Sequence, residues 1–243
     1  MNDWLLRRSR RPAAGHRLYC FPFAGGTPGV YLPWERRLPE VEVWGVLPPG
    51  RGKRFAEPPI GSVPELVRTL LAEVEFRPPF LLFGHSLGAL LAFETARELQ
   101  AAGRPGPSAV VVSAHRPPHQ PYEDAPITAW PEPEFRAEVE RRYPAPPELA
   151  EDPELLAQSY RMLHGDLRLV ETYRYRPAEP LRCPIAVVSG VDDYWSEREL
   201  AGWGRHTSAG CRVSMVPGDH HYLLDDPDQV LRIVADLTGG SLR

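Results

Sequence analysis

Ser86 stands in the pattern G-H-S-L-G, after the apolar run Phe80–Gly84 and before a stretch, Leu87–Ala102, whose apolar residues recur at helical spacing. Glycine weakens the interior of strands and helices alike, so a serine between two of them at such a junction predicts a tight, strained turn that pushes its hydroxyl outward. This is the pattern of a nucleophile elbow. A hydroxyl attacks poorly until a base takes its proton, so the chemistry demands a histidine within reach, itself held by a carboxylate. Two later apolar runs end in such residues. I-A-V-V-S-G runs into V-D-D, offering Asp192 and Asp193, and R-V-S-M-V runs into P-G-D-H-H-Y-L, offering His220 and His221. The order serine, acid, histidine is the one that accompanies this turn.

Within each pair the residues alone leave a choice. Asp193 lies further out on its loop than Asp192, a small margin in its favour. His220 directly follows the turn residues Pro217 to Asp219, while His221 heads into Tyr222–Leu224, so His220 is preferred as the base. Acyl transfer also needs backbone donors for the oxyanion. The amide of Leu87 is one, supplied by the elbow itself. The second is expected from the early loop C-F-P-F-A-G-G, Cys20 to Gly26, where Ala24 is chosen by position. The remaining histidines, including His85 inside the elbow, read as structural or exposed, although His115 and His164 flank a cap-like insertion and could line a cleft.

These residues need a sheet to present them. Short apolar runs bounded by Gly or Pro alternate with helical patterns, which predicts an α/β fold whose parallel strands are covered on both faces. Strands are expected at Arg17–Phe21, Val41–Leu47, Phe80–Gly84, Ala109–Ser113, Ile185–Gly190 and Arg212–Val216. Helices are expected at Val63–Glu75, Leu87–Ala102, Ser196–His206 and Pro227–Leu237, the last capped by Asp226. From His115 to Pro180 the alternation stops, prolines cluster, and amphipathic segments lie near Glu132–Tyr143 and Pro153–Tyr175. We read 115–180 as a helical lid inserted into a core of 1–114 and 181–243, leaving the sheet at a strand's C-terminal end and so covering the site. Prolines around Pro117–Pro126 and Pro144–Pro147 are expected to bound rigid helical pieces with hinges between them.

Composition narrows the class. The chain has 243 residues, is 42% apolar and carries a net charge of only −4, so it buries a sizeable core and does not advertise nucleic-acid binding. Cys20, Cys183 and Cys211 are odd in number and far apart, which points to reduced thiols and a cytoplasmic home. No run approaches eighteen apolar residues, and the segment 1–15, with Arg7, Arg8, Arg10 and Arg11 but no apolar core, reads as a loose arm and not a secretory signal. Neither a ligand-spaced Cys/His cluster nor a phosphate loop is present in the sequence, so no metal or cofactor is expected.

Taken together, F-P-F-A-G-G, P-P-G-R-G-K-R with Glu57-Pro58 after it, G-H-S-L-G-A-L, E-T-Y-R-Y-R, G-V-D-D and G-D-H-H-Y-L resemble the type II thioesterases of polyketide and nonribosomal peptide synthesis. The resemblance runs from about Arg17 to the last helix. It implies an α/β-hydrolase fold, a mostly parallel central sheet flanked by helices, with an inserted helical lid. It implies a discrete enzyme that hydrolyses acyl groups from the phosphopantetheine arm of acyl or peptidyl carrier proteins and so clears stalled or aberrant chains. Carried across by motif, Ser86 is the nucleophile, Asp193 the acid, His220 the base, and Ala24 and Leu87 the oxyanion donors. The choice of Asp193 follows from its place three residues after Gly190, and that of His220 from the G-D before it. Phe23, where the family commonly has histidine, His221, where it has an aromatic residue, and L-H-G-D at Leu163 to Asp166, where L-R-A-D is usual, depart from the pattern and bear on lid shape and substrate fit.

The same triad would serve a carboxylesterase or lipase, or an acyltransferase or cyclase if the lid excludes water. A carrier-protein-binding module with an idle triad is the reading from another class. A carrier protein would be acidic, and Arg51, Lys53, Arg54, Arg141 and Arg142 are candidates for steering it.

Overall fold

The computed structural model describes residues 3–121, 125–143, 149 and 151–242. Strands β1 (Leu5–Leu6), β2 (His16–Phe21), β3 (Val41–Val46), β4 (Phe80–His85), β5 (Ala109–Ser113), β6 (Ile185–Gly190) and β7 (Cys211–Val216) form one sheet in the order β1-β3-β2-β4-β5-β6-β7. All neighbours pair in parallel except β1, which runs antiparallel to β3. The six strands expected from the apolar runs lie within one residue of their expected bounds.

The central strand β4 shows why its sequence has no polar alternation. Phe80 and Leu82 face one layer, with α1 (Val63–Glu73) and α2 (Leu87–Ala101), where Leu66, Leu70, Leu90 and Phe93 complete the core. Leu81 and Phe83 face the other, against Tyr31 and Trp34 of the 3₁₀ segment Pro28–Arg36 and Val230, Leu231 and Val234 of the last helix. A strand covered on both sides buries every residue, and β4 does.

Between β5 and β6 lie the 3₁₀ turn Ile127–Ala129 and helices α3 (Glu132–Arg142) and α4 (Pro153–Thr172), with no strand among the described residues. Asp152 caps α4 by accepting from the amides of Glu154 and Leu155 at 3.0 and 3.1 Å. The insertion has a small core of its own, Ile127, Phe135 and Val139, packed by Tyr160, Leu163 and Leu167. The buried Glu171 of α4 ties it together by accepting from the amides of Ile127 and Thr128 at 2.9 and 3.2 Å. The expected hinge at Pro144–Pro147 lies outside the described residues.

Three expectations need correction. The segment Ser196–His206 is not one helix: α5 (Glu197–Leu200), opened by a capping box between Ser196 and Glu199, gives way to the 3₁₀ turn Ala201–His206, where Gly202 and Gly204 weaken the α form. After the short α6 (Tyr222–Asp225), the last helix, α7, spans Asp228–Thr238, so Asp226 stands one place before its N-cap, although its carboxylate accepts from the amide of Asp228 at 2.9 Å. Most clearly, the N-terminal segment is not a loose arm. Trp4 is buried, its carbonyl accepts from Leu47 N–H at 2.7 Å, and Leu5–Leu6 pair with Gly45 and Val46. The physical reason is two nearly buried carboxylates, Glu35 and Glu42, that need cationic or polar partners. Arg7 pairs with Glu42 at 3.0 Å and lies over the Trp44 ring, Arg11 N–H donates to Glu42 at 3.1 Å, and Ser9 and Arg8 meet Glu35.

Candidate active site

The elbow is built by close backbone approach. A Cβ at Gly84 would lie 1.9 Å from the carbonyl oxygen of Gly88, and one at Gly88 would lie 2.2 Å from that of Phe21. No side chain fits either gap, so both glycines of G-H-S-L-G are required for β4, α2 and the end of β2 to meet. Ser86 then takes φ 53° and ψ −121°, a conformation that a residue with a Cβ adopts only under constraint. Its amide donates to the carbonyl of Ser113 at 2.8 Å, which locks the turn to β5. Leu87 begins α2, so the positive N-terminal end of the helix lies at the Ser86 turn.

The structure brings Asp193 and His220 together and leaves Asp192 and His221 apart from that contact. His220 Nδ1 donates to Asp193 Oδ1 at 2.9 Å, and the Asp193 side chain has no exposed surface. Asp192 is exposed, its amide spent on the carbonyl of Gly218. Asp193 also accepts from Tyr194 N–H at 2.7 Å and Ser189 Oγ–H at 2.9 Å. Burial pushes this carboxyl up, but the donors led by His220 outweigh it, and its pKa lies below the usual carboxylate value. An ionised Asp193 accepts only, so Nδ1 of His220 carries the proton and Nε2 is left with its lone pair.

The acid and histidine loops cross over Gly190. A Cβ there would lie 2.2 Å from the carbonyl oxygen of Gly218 and 2.6 Å from that of Asp219. Gly190→Ala is therefore expected to force the two loops apart, cutting turnover at least tenfold and costing about 1–3 kcal/mol of stability. Steady-state kinetics beside thermal melts check both.

Behind the elbow sits a polar chain. His85 Nδ1 is 2.8 Å from Ser113 Oγ, which is 2.6 Å from the hydroxyl of Tyr222, two residues beyond His220. Burial, then the neighbouring His220, lowers the pKa of His85 to about 3, so it is a neutral structural group, as expected from sequence. The other two histidines considered are structural too. His115 is buried with Nδ1 2.7 Å from the carbonyl of Arg116, and His164 Nε2 reaches the carbonyl of Thr128 at 3.1 Å while its ring meets Phe135 edge-on.

Ala24 lies in a turn in which Gly26 N–H donates to the carbonyl of Phe23 at 2.9 Å and Gly25 has φ +74°. This is the turn that demands glycine at its third position. Here sequence reasoning missed two functional candidates. Asp166 of α4 accepts from Gly25 N–H at 2.8 Å and from Arg51 Nη2 at 2.5 Å, while Arg51 Nη1 donates to the carbonyl of Gly26 at 2.9 Å. Both side chains are about 4% exposed, so Arg51 is not available to steer a partner. Arg54 is also buried, held by Glu57 and the carbonyl of Leu47. Of the five steering candidates, Lys53 and Arg141 reach the surface, paired with Asp3 and Glu138, and Arg142, also on Glu138, is partly exposed. The signal for Asp166 was L-H-G-D, quoted for its resemblance alone.

A cleft of about 330 Å³ opens between the loop at 50–59 and α4, lined among others by Thr27, Phe55, Pro59, Leu155 and Met162. Ser86, Asp193 and His220 are not among the residues that line it. Among the described residues, no cluster of three His, Cys, Asp or Glu could hold a metal ion, and no helix is long and apolar enough to cross a membrane.

Comparison with known proteins agrees with this architecture. The sequence profile of the family described as "Thioesterase domain" matches residues 16–238. Thioesterase PikA5 of Streptomyces venezuelae is 34% identical over 238 residues, 96% of this chain and 84% of that protein. The type II thioesterase BorB from the borrelidin biosynthetic cluster superposes with a TM-score of 0.85 at 34% identity, covering 99% of this chain and 98% of that one. The RedJ thioesterase from the prodiginine biosynthetic pathway in Streptomyces coelicolor does so with a TM-score of 0.83 at 31% identity, covering 93% and 91%. In sequence and in fold alike, the chain belongs to the thioesterase family, as an α/β-hydrolase of the type II thioesterases found in polyketide and nonribosomal peptide synthesis.

Proposed function

We propose that this enzyme edits a synthase by removing acyl groups from the phosphopantetheine arm of acyl or peptidyl carrier proteins, through an acyl-enzyme on Ser86. The observation that carries the reading is the 2.9 Å hydrogen bond from His220 Nδ1 to the buried Asp193, which leaves Nε2 as the base. Ser86 Oγ attacks the thioester carbonyl as His220 Nε2 takes its proton. The oxyanion is met by the amides of Leu87 and Ala24. Collapse of the tetrahedral adduct breaks the C–S bond, and the pantetheine sulfur leaves with the proton from His220. Water, deprotonated by His220, then attacks the acyl-Ser86 ester, and the carboxylic acid departs as Ser86 regains its hydrogen. Asp193 holds the imidazole and stabilises its cation at each step. The α3–α4 insertion acts as the lid, and the chemistry so written needs no metal or cofactor beyond the partner's arm.

Intact-mass spectrometry tests this directly. Carrier proteins loaded with acetyl through long-chain groups are incubated with the enzyme and with Ser86→Ala, and the expected result is loss of acyl mass to free pantetheine thiol with the wild type only. Survival of every acyl-carrier beside cleavage of a simple oxygen ester would instead make it a carboxylesterase.

A further inference from the structure

We infer that Asp166 of the lid helix, acting with Arg51, is a positioning residue for the oxyanion hole, because the two grip the turn that carries the Ala24 amide. The inference rests on the catalytic reading above.

The grip is made peptide by peptide. The Ala24 N–H shares its peptide plane with the carbonyl of Phe23, and that carbonyl is held by Gly26 N–H at 2.9 Å. The next peptide, at the centre of the turn, presents Gly25 N–H to Asp166 Oδ2 at 2.8 Å. The carbonyl of Gly26 is held by Arg51 Nη1 at 2.9 Å, and Arg51 closes the ring on Asp166 Oδ1 at 2.5 Å. A turn of this kind converts to its commoner form by flipping the central peptide, which exchanges an N–H for a carbonyl. Facing the Asp166 carboxylate, that flip would set a carbonyl dipole against a negative charge, so the carboxylate selects the form seen here. Side chains that only filled space would leave the flip open.

Placement adds a second point. Arg51 comes from the P-P-G-R-G loop after β3 and Asp166 from the middle of α4, so the turn is clamped between core and lid. Gly25 is also close-packed by Leu163, one turn before Asp166, since a Cβ there would lie 3.3 Å from Leu163 Cδ1. With both charges buried, α4 cannot lift from the turn without exposing Asp166 or stranding Arg51. The oxyanion donor is thus assembled only when the lid helix is seated. An oxyanion donor misaimed by about an ångström costs on the order of a hundredfold in rate.

The test separates aim from stability. Asp166→Asn and Arg51→Lys are compared with the wild type on an octanoyl N-acetylcysteamine thioester and on an alkylboronic acid, whose adduct with Ser86 carries the tetrahedral anion that the hole binds. Asp166→Asn is expected to lower kcat by about a hundredfold with KM within about threefold, and to weaken boronic-acid inhibition by a similar factor. Arg51→Lys keeps the charge but not the two-armed geometry, and is expected to fall between the two. A lower melting temperature with kcat and boronic-acid affinity unchanged per folded molecule would reduce the pair to a structural tie, and a rise in KM alone would assign it to substrate binding; either overturns the inference. Should Asp166→Asn fail to fold, Arg51→Lys decides by the same readouts. A wild type that leaves every thioester intact would instead overturn the catalytic reading.

Discussion

Alanine at Ser86 is expected to cost about 10⁵-fold or more in kcat on an acyl thioester, and alanine at His220 a comparable factor. The reason is that neither group works alone. In the proposed mechanism Ser86 Oγ is not nucleophilic without a base, and His220, oriented by a carboxylate with no exposed side-chain surface, serves an acyl-enzyme route that is closed without Ser86. The double variant is therefore expected to be no worse than either single one. Asp193→Asn is expected to lose about 10⁴-fold while the fold stays intact, because an amide in that place no longer dictates that Nδ1 carry the proton. Kinetics on a small thioester with titrated enzyme measure all four. Losses that add in the double variant, or a Ser86→Ala protein that still turns over, would contradict the mechanism.

Acid is expected to destabilise this protein first through its buried histidines, before the carboxylates titrate. An unfolded histidine binds its proton near pH 6.5. Burial holds His85 neutral down to about pH 3 and His115 down to about pH 4, and His206, in edge-on contact with Phe93, Tyr175 and Trp203, is lowered to about 4 in the same way. Between those values and 6.5 the unfolded chain carries more protons than the folded one, so stability falls as pH falls, and the loss levels off only once the folded groups titrate. Near pH 5, His85 and His115 together contribute a slope of roughly 2.5 kcal/mol per pH unit. Above pH 7 all are neutral in both states and the slope vanishes. Urea unfolding at pH 7.5, 6 and 5 measures it, His115→Gln should flatten it, and equal stability at pH 7.5 and 5 would show that these rings are not kept dry.

What could be read in the residues beforehand has a physical boundary. Strands covered on both faces are continuous apolar runs, which is why β4 and β5 were legible almost to the residue, and the elbow declares itself through two glycines that no other residue can replace. The contact between Asp193 and His220 was legible because each lies in the loop just past the C-terminal end of one of two neighbouring strands, β6 and β7. What escaped were contacts between charges distant in the chain. Arg51 looks like any surface arginine until Asp166, 115 positions later, is folded against it. Arg7 and Arg11 look like a solvated run until Glu42 is found buried beside them. Periodicity reports which side faces the core, but a buried ion pair has no period. The same holds for the break between α5 and its 3₁₀ continuation, where local glycine content outweighs an otherwise helical pattern.

The antiparallel pairing of β1 with β3 has a further consequence. A parallel sheet ends in strands whose outer N–H and C=O groups are unpaired, and such an edge invites another chain to add itself there. Two residues, Leu5 and Leu6, occupy the β3 edge opposite Val46 and Gly45, and Arg7 sets a charge at the place where the pairing stops. A chain shortened past Leu6 would bare this ladder together with the apolar surface that Trp4 covers. The short N-terminal strand is thus a barrier to edge-to-edge association between copies, and a tag or truncation placed there touches solubility before it touches catalysis.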